Sequence, residues 1–397
     1  MRVPALTAGL VLAGTACLTT TAPADAGSLS LSRTYLVTLS PGGPAPALAA
    51  AAARALGGQV RFVYSHAVRG YAVVLPAGLL PVLQALPGVR SVTVDQPVHI
   101  VGSSPRLTTE TNPPSYGLDR IDQRSLPLSR SYSFRSTGSG VTAYVVDTGI
   151  RLTHRDLAPR AVSGFDAVSG GTANDCNGHG THVAGIIGGR AVGVAKAVRL
   201  VAVRVLDCNG SGSDATVIAG IDWVVSHHKA GAPAVLNMSL GGAASTPVDQ
   251  AVSSAVAHGV TVVVAAGNDG GGLLAGLTGS DNACNYSPAR VPEAITVGAS
   301  DSTDTMAGYS DVGPCVDLFA PGSGIVSDWN SGDTARQTLS GTSMATPHVT
   351  GVAALYLARN PRATPAQVQG ALVAGATQGA LTGVPTGTAN RLVFTSY

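Results

Sequence analysis

Charge is scarce in this 397-residue chain: Asp, Glu, Lys and Arg together make up 12% of it, and the net charge is +2 with His neutral. Soluble domains usually carry about twice that fraction. The few basic residues are scattered, so the chain lacks the electrostatic footprint of a nucleic-acid binder. Long apolar runs are also missing. None approaches the roughly 20 residues of a membrane-spanning helix. Histidine pairs flanking a Glu, in the pattern His-Glu-x-x-His, do not occur, which argues against a zinc peptidase. Asp-Thr-Gly occurs once, at Asp147, and no second Asp-Thr/Ser-Gly follows to supply the partner carboxylate of an aspartic protease. What is plentiful is glycine, 50 residues, within a composition that is 45% hydrophobic. Together these suit a compact, turn-rich α/β protein with room for two or three folded units.

Residues 1–26 read as an export leader: Arg2, an apolar stretch from Leu6 to Leu18, then small residues at Ala24-Asp25-Ala26. Cys17 also invites a lipoprotein reading, against which Gly14 stands where a Leu is usual. The expected product is soluble, secreted, without membrane attachment, and monomeric. Of five cysteines, loss of Cys17 leaves Cys176, Cys208, Cys284 and Cys315, an even number that favours disulfides in an exported protein. Four allow three connectivities. The sequential one closes two loops of about 30 residues, each contributing roughly 3–4 kcal/mol. A competing zinc reading uses Cys176, His179, His182 and Cys208, but crowds all of these ligands among glycines.

Residues 33–100 alternate as strand Tyr35–Leu39, helix Pro46–Leu56, strand Gln59–Tyr64, strand Gly70–Leu75, helix Gly78–Leu86 and strand Val89–Asp95. This βαββαβ order is ferredoxin-like, and a unit so small is marginal alone. Ser, Thr, Pro and Asn then dominate from Val101 to Pro114, which reads as an exposed, cleavable linker. Beyond it, apolar strands (Val141–Val146, Leu200–Leu206, Val235–Met238, Val260–Ala265, Ile295–Val297) alternate with helices (Thr181–Ile187, Thr216–His228, Pro247–His258, Met344–Ala358, Thr364–Ala374). Wholly apolar strands between helices predict a mostly parallel sheet covered on both faces. Chemistry in such sheets gathers at the carboxyl edge.

Four residues there can do chemistry, and each also has a bland explanation. Asp147 ends the first apolar strand in AYVVDTGI, where it can orient a base or simply cap a turn. His179 lies between glycines in NGHGTHVAG, reachable enough to shuttle a proton, with His182 three residues on. Asn268 follows a strand in AAGND, as an oxyanion donor or a turn residue. Ser343, in GTSMATPHVTG, precedes a helical apolar pattern and is either a nucleophile or the helix N-cap.

The order Asp…His…Ser is one of the known orders of the serine-protease triad. With it come AYVVDTGI, NGHGTHVAG, RVLDCNGSGS, NMSLGG, AAGND, NYSPARV, CVDLFAPG and GTSMATPHV, spread over residues 116–360. On these motifs the chain resembles the subtilase serine peptidases, most closely the proteinase K and aqualysin branch. The resemblance implies a three-layer α/β/α catalytic domain. It casts Ser343 as nucleophile, His179 as general base, Asp147 as its orienter and Asn268 as oxyanion donor. Gly210, Ser239, Leu240, Gly241, Ala266 and Gly267 would contact substrate. His182 becomes a packing residue. The sequential cysteine pairing is the one this branch uses.

It further implies structural calcium held by the carbonyls of Pro292 and Ala294 with Asp317. Asp119, Asp122 and Gln123 form a second, weaker ligand set, with Ser129 and Ser131 standing where relatives have stronger ligands. Residues 27–108 would be a propeptide that assists folding, inhibits the enzyme and is cut near Leu107–Asn112, leaving 109–397 as the peptidase domain. The expected activity is endoproteolysis of protein and peptide substrates with apolar or aromatic residues before the cut. A catalytically silent peptide-binding protein on the same fold is the alternative. One departure is the segment after Asn268, longer than the family pattern. It is either a tolerated loop, or a place where Leu273, Leu274 and Leu277 reshape the specificity pocket.

Overall fold

The computed structural model describes residues 32–65, 69–95, 107–271 and 281–397. The leader expected over 1–26, Cys17, residues 101–106 of the linker, and Leu273, Leu274 and Leu277 lie outside the described residues. The chain divides into two units, 1–102 and 103–397.

The first unit runs β1 (Ser32–Leu39), α1 (Pro46–Ala55), β2 (Gln59–Tyr64), β3 (Gly70–Pro76), α2 (Leu80–Gln84), β4 (Val89–Val94). Its sheet order is β2-β3-β1-β4, with antiparallel pairing throughout. Alternation decides which face is packed: Tyr35, Val37 and Leu39 are buried on β1 while their neighbours are not, and they meet Ala49, Ala50 and Ala53 of α1. The second helix is shorter than the expected Gly78–Leu86. Residues 77–79 form a tighter 3₁₀ turn and the α-helix starts only at Leu80, because Pro81 lacks an N–H and belongs in a first turn.

The second unit continues with β5 (Thr108–Thr111), α3 (Tyr116–Ile121), β6 (Ser131–Phe134), β7 (Thr142–Asp147), β8 (Ala161–Asp166), α4 (His179–Gly188), β9 (Arg199–Arg204), α5 (Asp214–His227) and β10 (Ala234–Met238). Then come β11 (Gly242–Ala243), α6 (Thr246–Ala257), β12 (Thr261–Ala265), β13 (Tyr286–Ser287), β14 (Ile295–Ser300), β15 (Leu318–Pro321), β16 (Ile325–Asp328) and β17 (Arg336–Leu339). It ends with α7 (Thr342–Arg359), α8 (Pro365–Gly375), β18 (Thr377–Gln378) and β19 (Arg391–Leu392).

Nine strands form one sheet in the order β18-β19-β15-β14-β12-β10-β7-β9-β8. It is parallel except for β18, which pairs antiparallel at the edge. Alternate residues of each strand serve opposite faces. Val145, Ala202, Val235 and Val263 pack with α4, α7 and α8, whereas Val146, Val203, Leu236 and Val262 pack with α5 and α6. This is the expected α/β/α arrangement, and it explains the strands' unbroken apolar character. Four sheet strands escape a search for apolar runs, two of them the two-residue strands β18 and β19 at one edge. In β8, Ser163 and Gly164 interrupt the pattern at a register shift, and β15 is embedded in the turn-like CVDLFAPG. A fully buried Arg120 on α3 also pairs with Asp304, Nε to Oδ1 at 2.6 Å and Nη2 to Oδ2 at 2.9 Å. Such a pair fixes geometry more than it adds stability.

Strands β12, β10 and β7 are neighbours, so their carboxyl ends bring Asn268, Ser239 and Asp147 to one edge of the sheet.

Candidate active site

Asp147 is the last residue of β7 and wholly buried. His179 is the first residue of α4, with its side chain about a quarter exposed (27%). The imidazole Nδ1 lies 2.8 Å from Asp147 Oδ1 and 3.0 Å from Oδ2. Oδ1 also accepts the Thr148 N–H at 2.7 Å. Burial opposes the imidazolium, but the charge and hydrogen bond of Asp147, then the charge of Asp175, outweigh it and hold His179 above the ordinary imidazole value.

Asp175 is a site residue the sequence search missed. Its carboxylate accepts from Thr148 Oγ1 and from the N–H groups of Asn177, Gly178 and Thr181, so it shapes the turn that delivers His179. Its signal was available: an Asx just before a glycine-rich turn and a helix start. Gly178 in that turn has φ +121°, and a Cβ there would fall 2.4 Å from the Trp329 ring.

Ser343 lies inside the first turn of α7, and Gly341 occupies the N-cap without a side-chain cap. The capping alternative is therefore wrong: no Ser hydroxyl closes this helix. Instead Ser343 Oγ donates to the carbonyl of Ser239 at 3.1 Å, and Ser239 Oγ donates back to the Ser343 carbonyl at 2.9 Å. Behind them Asn237 Nδ2 donates to Ser239 Oγ at 2.9 Å, and Thr350 Oγ1 to Asn237 Oδ1 at 2.8 Å. No hydrogen bond joins Ser343 to His179 among the described residues. Asn268 Oδ1 accepts from the Thr342 N–H at 2.9 Å and from Thr342 Oγ1 at 3.1 Å. With the oxygen so engaged, Nδ2 is the side of the amide free to donate.

Two adjoining cavities share Leu240, Gly241, Gly242 and Ser287. One, of about 600 Å³, is lined by His179, Asn209, Gly210, Ser211, Ser239 and Pro288 among others. The other, of about 310 Å³, is lined by Ala265, Ala266, Gly267, Asn268, Tyr286 and Ser343 among others. Every residue expected to contact substrate thus borders this cleft. His182 does not: it is buried, its Nε2 faces the carbonyls of Ile325 and Gln337, and burial lowers its pKa to about 4.

The cysteines pair as Cys176–Cys208 and Cys284–Cys315. That selects one of the three connectivities and leaves no thiolate for the zinc alternative. The carbonyls of Pro292 and Ala294 lie 3.5 and 3.4 Å from Gln369 Nε2, and Asp317 hydrogen-bonds the same side chain. These three oxygens, of the kind a hard cation takes, are gathered around the Gln369 amide. In the second set Asp119 Oδ1 and Gln123 Oε1 meet at the Ser129 N–H, each at 3.0 Å. Asp119 Oδ1 takes the Ser129 N–H and hydroxyl, its Oδ2 takes the Arg130 N–H, and Asp122 Oδ2 takes the Ser133 N–H. Gln123 meanwhile closes on Ser125, Pro127 and Ser129. These bonds hold the loop that follows α3, and Asp122 Oδ1 is left buried without a hydrogen-bond partner.

A three-layer α/β/α sheet with a serine, a carboxylate–imidazole pair and an amide donor on one cleft is the frame of a nucleophilic hydrolase. The chain belongs to the subtilase family, the subtilisin-like serine proteinases, whose family model matches residues 138–391. It is 53% identical to an extracellular serine proteinase of Thermus sp. (strain Rt41A) over 86% of this chain and 79% of that one. It is 48% identical to alkaline serine exoprotease A of Vibrio alginolyticus over 85% of this chain and 60% of that one. The crystal structure of a cold adapted subtilisin-like serine proteinase matches with a TM-score of 0.66 and 51% identity, covering 70% of this chain and 97% of that one.

Proposed function

We propose that this proteinase is an extracellular endopeptidase in which Ser343 attacks the scissile carbonyl. What carries the reading is the buried Asp147–His179 pair standing on the cleft that Ser343 and Asn268 also line. His179 Nε2 accepts the Ser343 proton as Oγ bonds to carbon, and Asp147 stabilises the imidazolium that forms. The carbonyl electron pair moves to oxygen, where Asn268 Nδ2–H and the Ser343 N–H receive the charge; such donors are worth roughly 3–4 kcal/mol of barrier. His179 then protonates the leaving amine, and water repeats the sequence on the acyl ester.

Substrate lies extended against Gly210 and the Ser239–Gly241 segment. Leu240, Ala265 and Ala266 give the smaller cavity apolar walls, which suits apolar or aromatic residues before the cut. Residues 1–26 act as an export leader. Residues 27–108 form an inhibitory propeptide, removed by the enzyme itself to leave 109–397. Calcium, held by Pro292, Ala294 and Asp317, braces the loop before β14 and supplies no chemistry.

Ser343→Ala decides between this reading and a silent peptide binder. The variant should lose casein hydrolysis, and a sulfonyl fluoride should abolish wild-type activity with one equivalent incorporated. Hydrolysis that persists in Ser343→Ala overturns the mechanism.

A further inference from the structure

Asp311, in the loop between β14 and β15, is fully buried where it meets the turn that carries Asn268, and it borders the smaller cavity of the cleft. Its own N–H donates to the Gly267 carbonyl at 3.0 Å, and its Oδ1 accepts the Asp269 N–H at 2.7 Å. One residue thus grips the chain on both sides of Asn268. Its Oδ2 is buried without a hydrogen-bond partner, pressed so closely on Gly267 that a Cβ there would fall 2.1 Å away. Gly267 itself has φ +119° and no side chain to anchor it. Thr342 also holds this turn, at Gly267 and at Asn268 Oδ1, but it does not reach the backbone of Asp269.

We propose that Asp311 is a positioning residue for Asn268, clamping the 267–269 turn so that the amide N–H faces the developing oxyanion. This rests on the oxyanion role proposed above for Asn268. A donor helps the transition state only when it already sits at hydrogen-bond distance from where the charge appears. A glycine-led turn released on one side samples other geometries, and a shift of about 1 Å costs on the order of 100-fold. The loss falls on kcat, because the ground-state carbonyl gains little from the donor. Burial, reinforced by the charges of Asp269 and Asp281, pushes the Asp311 carboxyl up to about 6. An uncharged group of the same shape therefore suits the place, and Asn keeps the acceptor that Asp269 needs.

The test is a mutant cycle in the full-length chain, with kcat normalised by active-site titration. Asp311→Ala should lower kcat by roughly 10- to 100-fold with KM within about threefold, and weaken a peptide boronic acid in the same proportion. Asp311→Asn should stay within about threefold of wild type. In an Asn268→Ala background, Asp311→Ala should cost no more than about twofold, since the clamp then holds nothing useful. If Asp311→Ala does not fold, Asp311→Ser against Asp311→Asn carries the same comparison, Ser slow and Asn not. An unchanged kcat in Asp311→Ala, an equal loss in the Asn268→Ala background, or no rescue by Asn would each overturn the inference. If Asn268→Ala itself leaves kcat unchanged, the oxyanion assignment falls and takes this inference with it. A slow Asn268→Ala beside an unaffected Asp311→Ala removes the clamp alone.

Discussion

Replacing Asp147 by Asn tests the carboxylate–imidazole pair with little change of shape. The charge lost stands 2.8–3.0 Å from Nδ1 of His179. At an effective dielectric near 20, a unit pair at that separation interacts by about 5–6 kcal/mol, which is about four decades of rate if the imidazolium needs all of it in the transition state. A second effect runs the same way. The Thr148 N–H donates to Asp147 Oδ1 at 2.7 Å, so the substituted amide settles with its oxygen there and its NH₂ near the Oδ2 position. An N–H then faces Nδ1 and favours the tautomer with the proton on Nε2, which cannot accept the Ser343 proton. Rates on a chromogenic peptide across the neutral and alkaline range should show kcat/KM down about 10⁴-fold. In the wild type, activity should decline on the acid side with a midpoint above the ordinary imidazole value, because His179 must be neutral to act. In Asp147→Asn that limb should move to lower pH. Activity within about tenfold of wild type, or an acid limb that stays in place, would refute the argument.

Two further outcomes concern stability and are best measured on the Ser343→Ala protein, which cannot digest itself. Asp328 is fully buried with neither carboxylate oxygen hydrogen-bonded; the nearest cation is Arg336 at 3.9 Å, and the His154 ring at 3.6 Å has its pKa lowered by burial. Burial first, then the charge of Asp156, push its pKa up to about 8. The folded state therefore binds this proton more tightly than the unfolded chain, whose Asp titrates near ~4. The stabilisation is present below that value and lost as pH rises through about 8. Asp328→Asn should raise Tm at about pH 9 by several degrees more than at about pH 5, and an equal effect at both would sink the claim. Millimolar calcium should raise Tm by roughly 5–15 °C over chelator. Asp317→Asn should abolish that response; a response that survives the substitution places the ion elsewhere.

Much of the architecture could be read because burial on two faces leaves a strong mark. Strands such as Thr261–Ala265 are apolar at nearly every position, and alternate residues feed two separate cores. Where that mark is weak the reading failed, as with β8, whose Ser163 and Gly164 sit at a register shift, and with α2, shortened by Pro81. Asp147, His179, Asn268 and Ser343 stood out because each follows a strand or opens a helix among small residues. Asp311 offered no such sign. In Gly-Tyr-Ser-Asp-Val-Gly it reads as a turn residue, and its contacts with Gly267 and Asp269 span more than forty positions.

Sequence alone therefore determined the layers, the parallel sheet and the residue types able to attack, relay a proton and receive an oxyanion, since these depend on periodicity and on local backbone chemistry. Tertiary structure decided which cysteines pair and that Ser343 rests on Ser239 instead of capping a helix. It also decided that Asp175 stands behind His179 and that Asp311 lines the smaller cavity beside the turn carrying Asn268. Those outcomes depend on which distant segments compete for the same hydrogen bonds in three dimensions, and no local pattern encodes that competition.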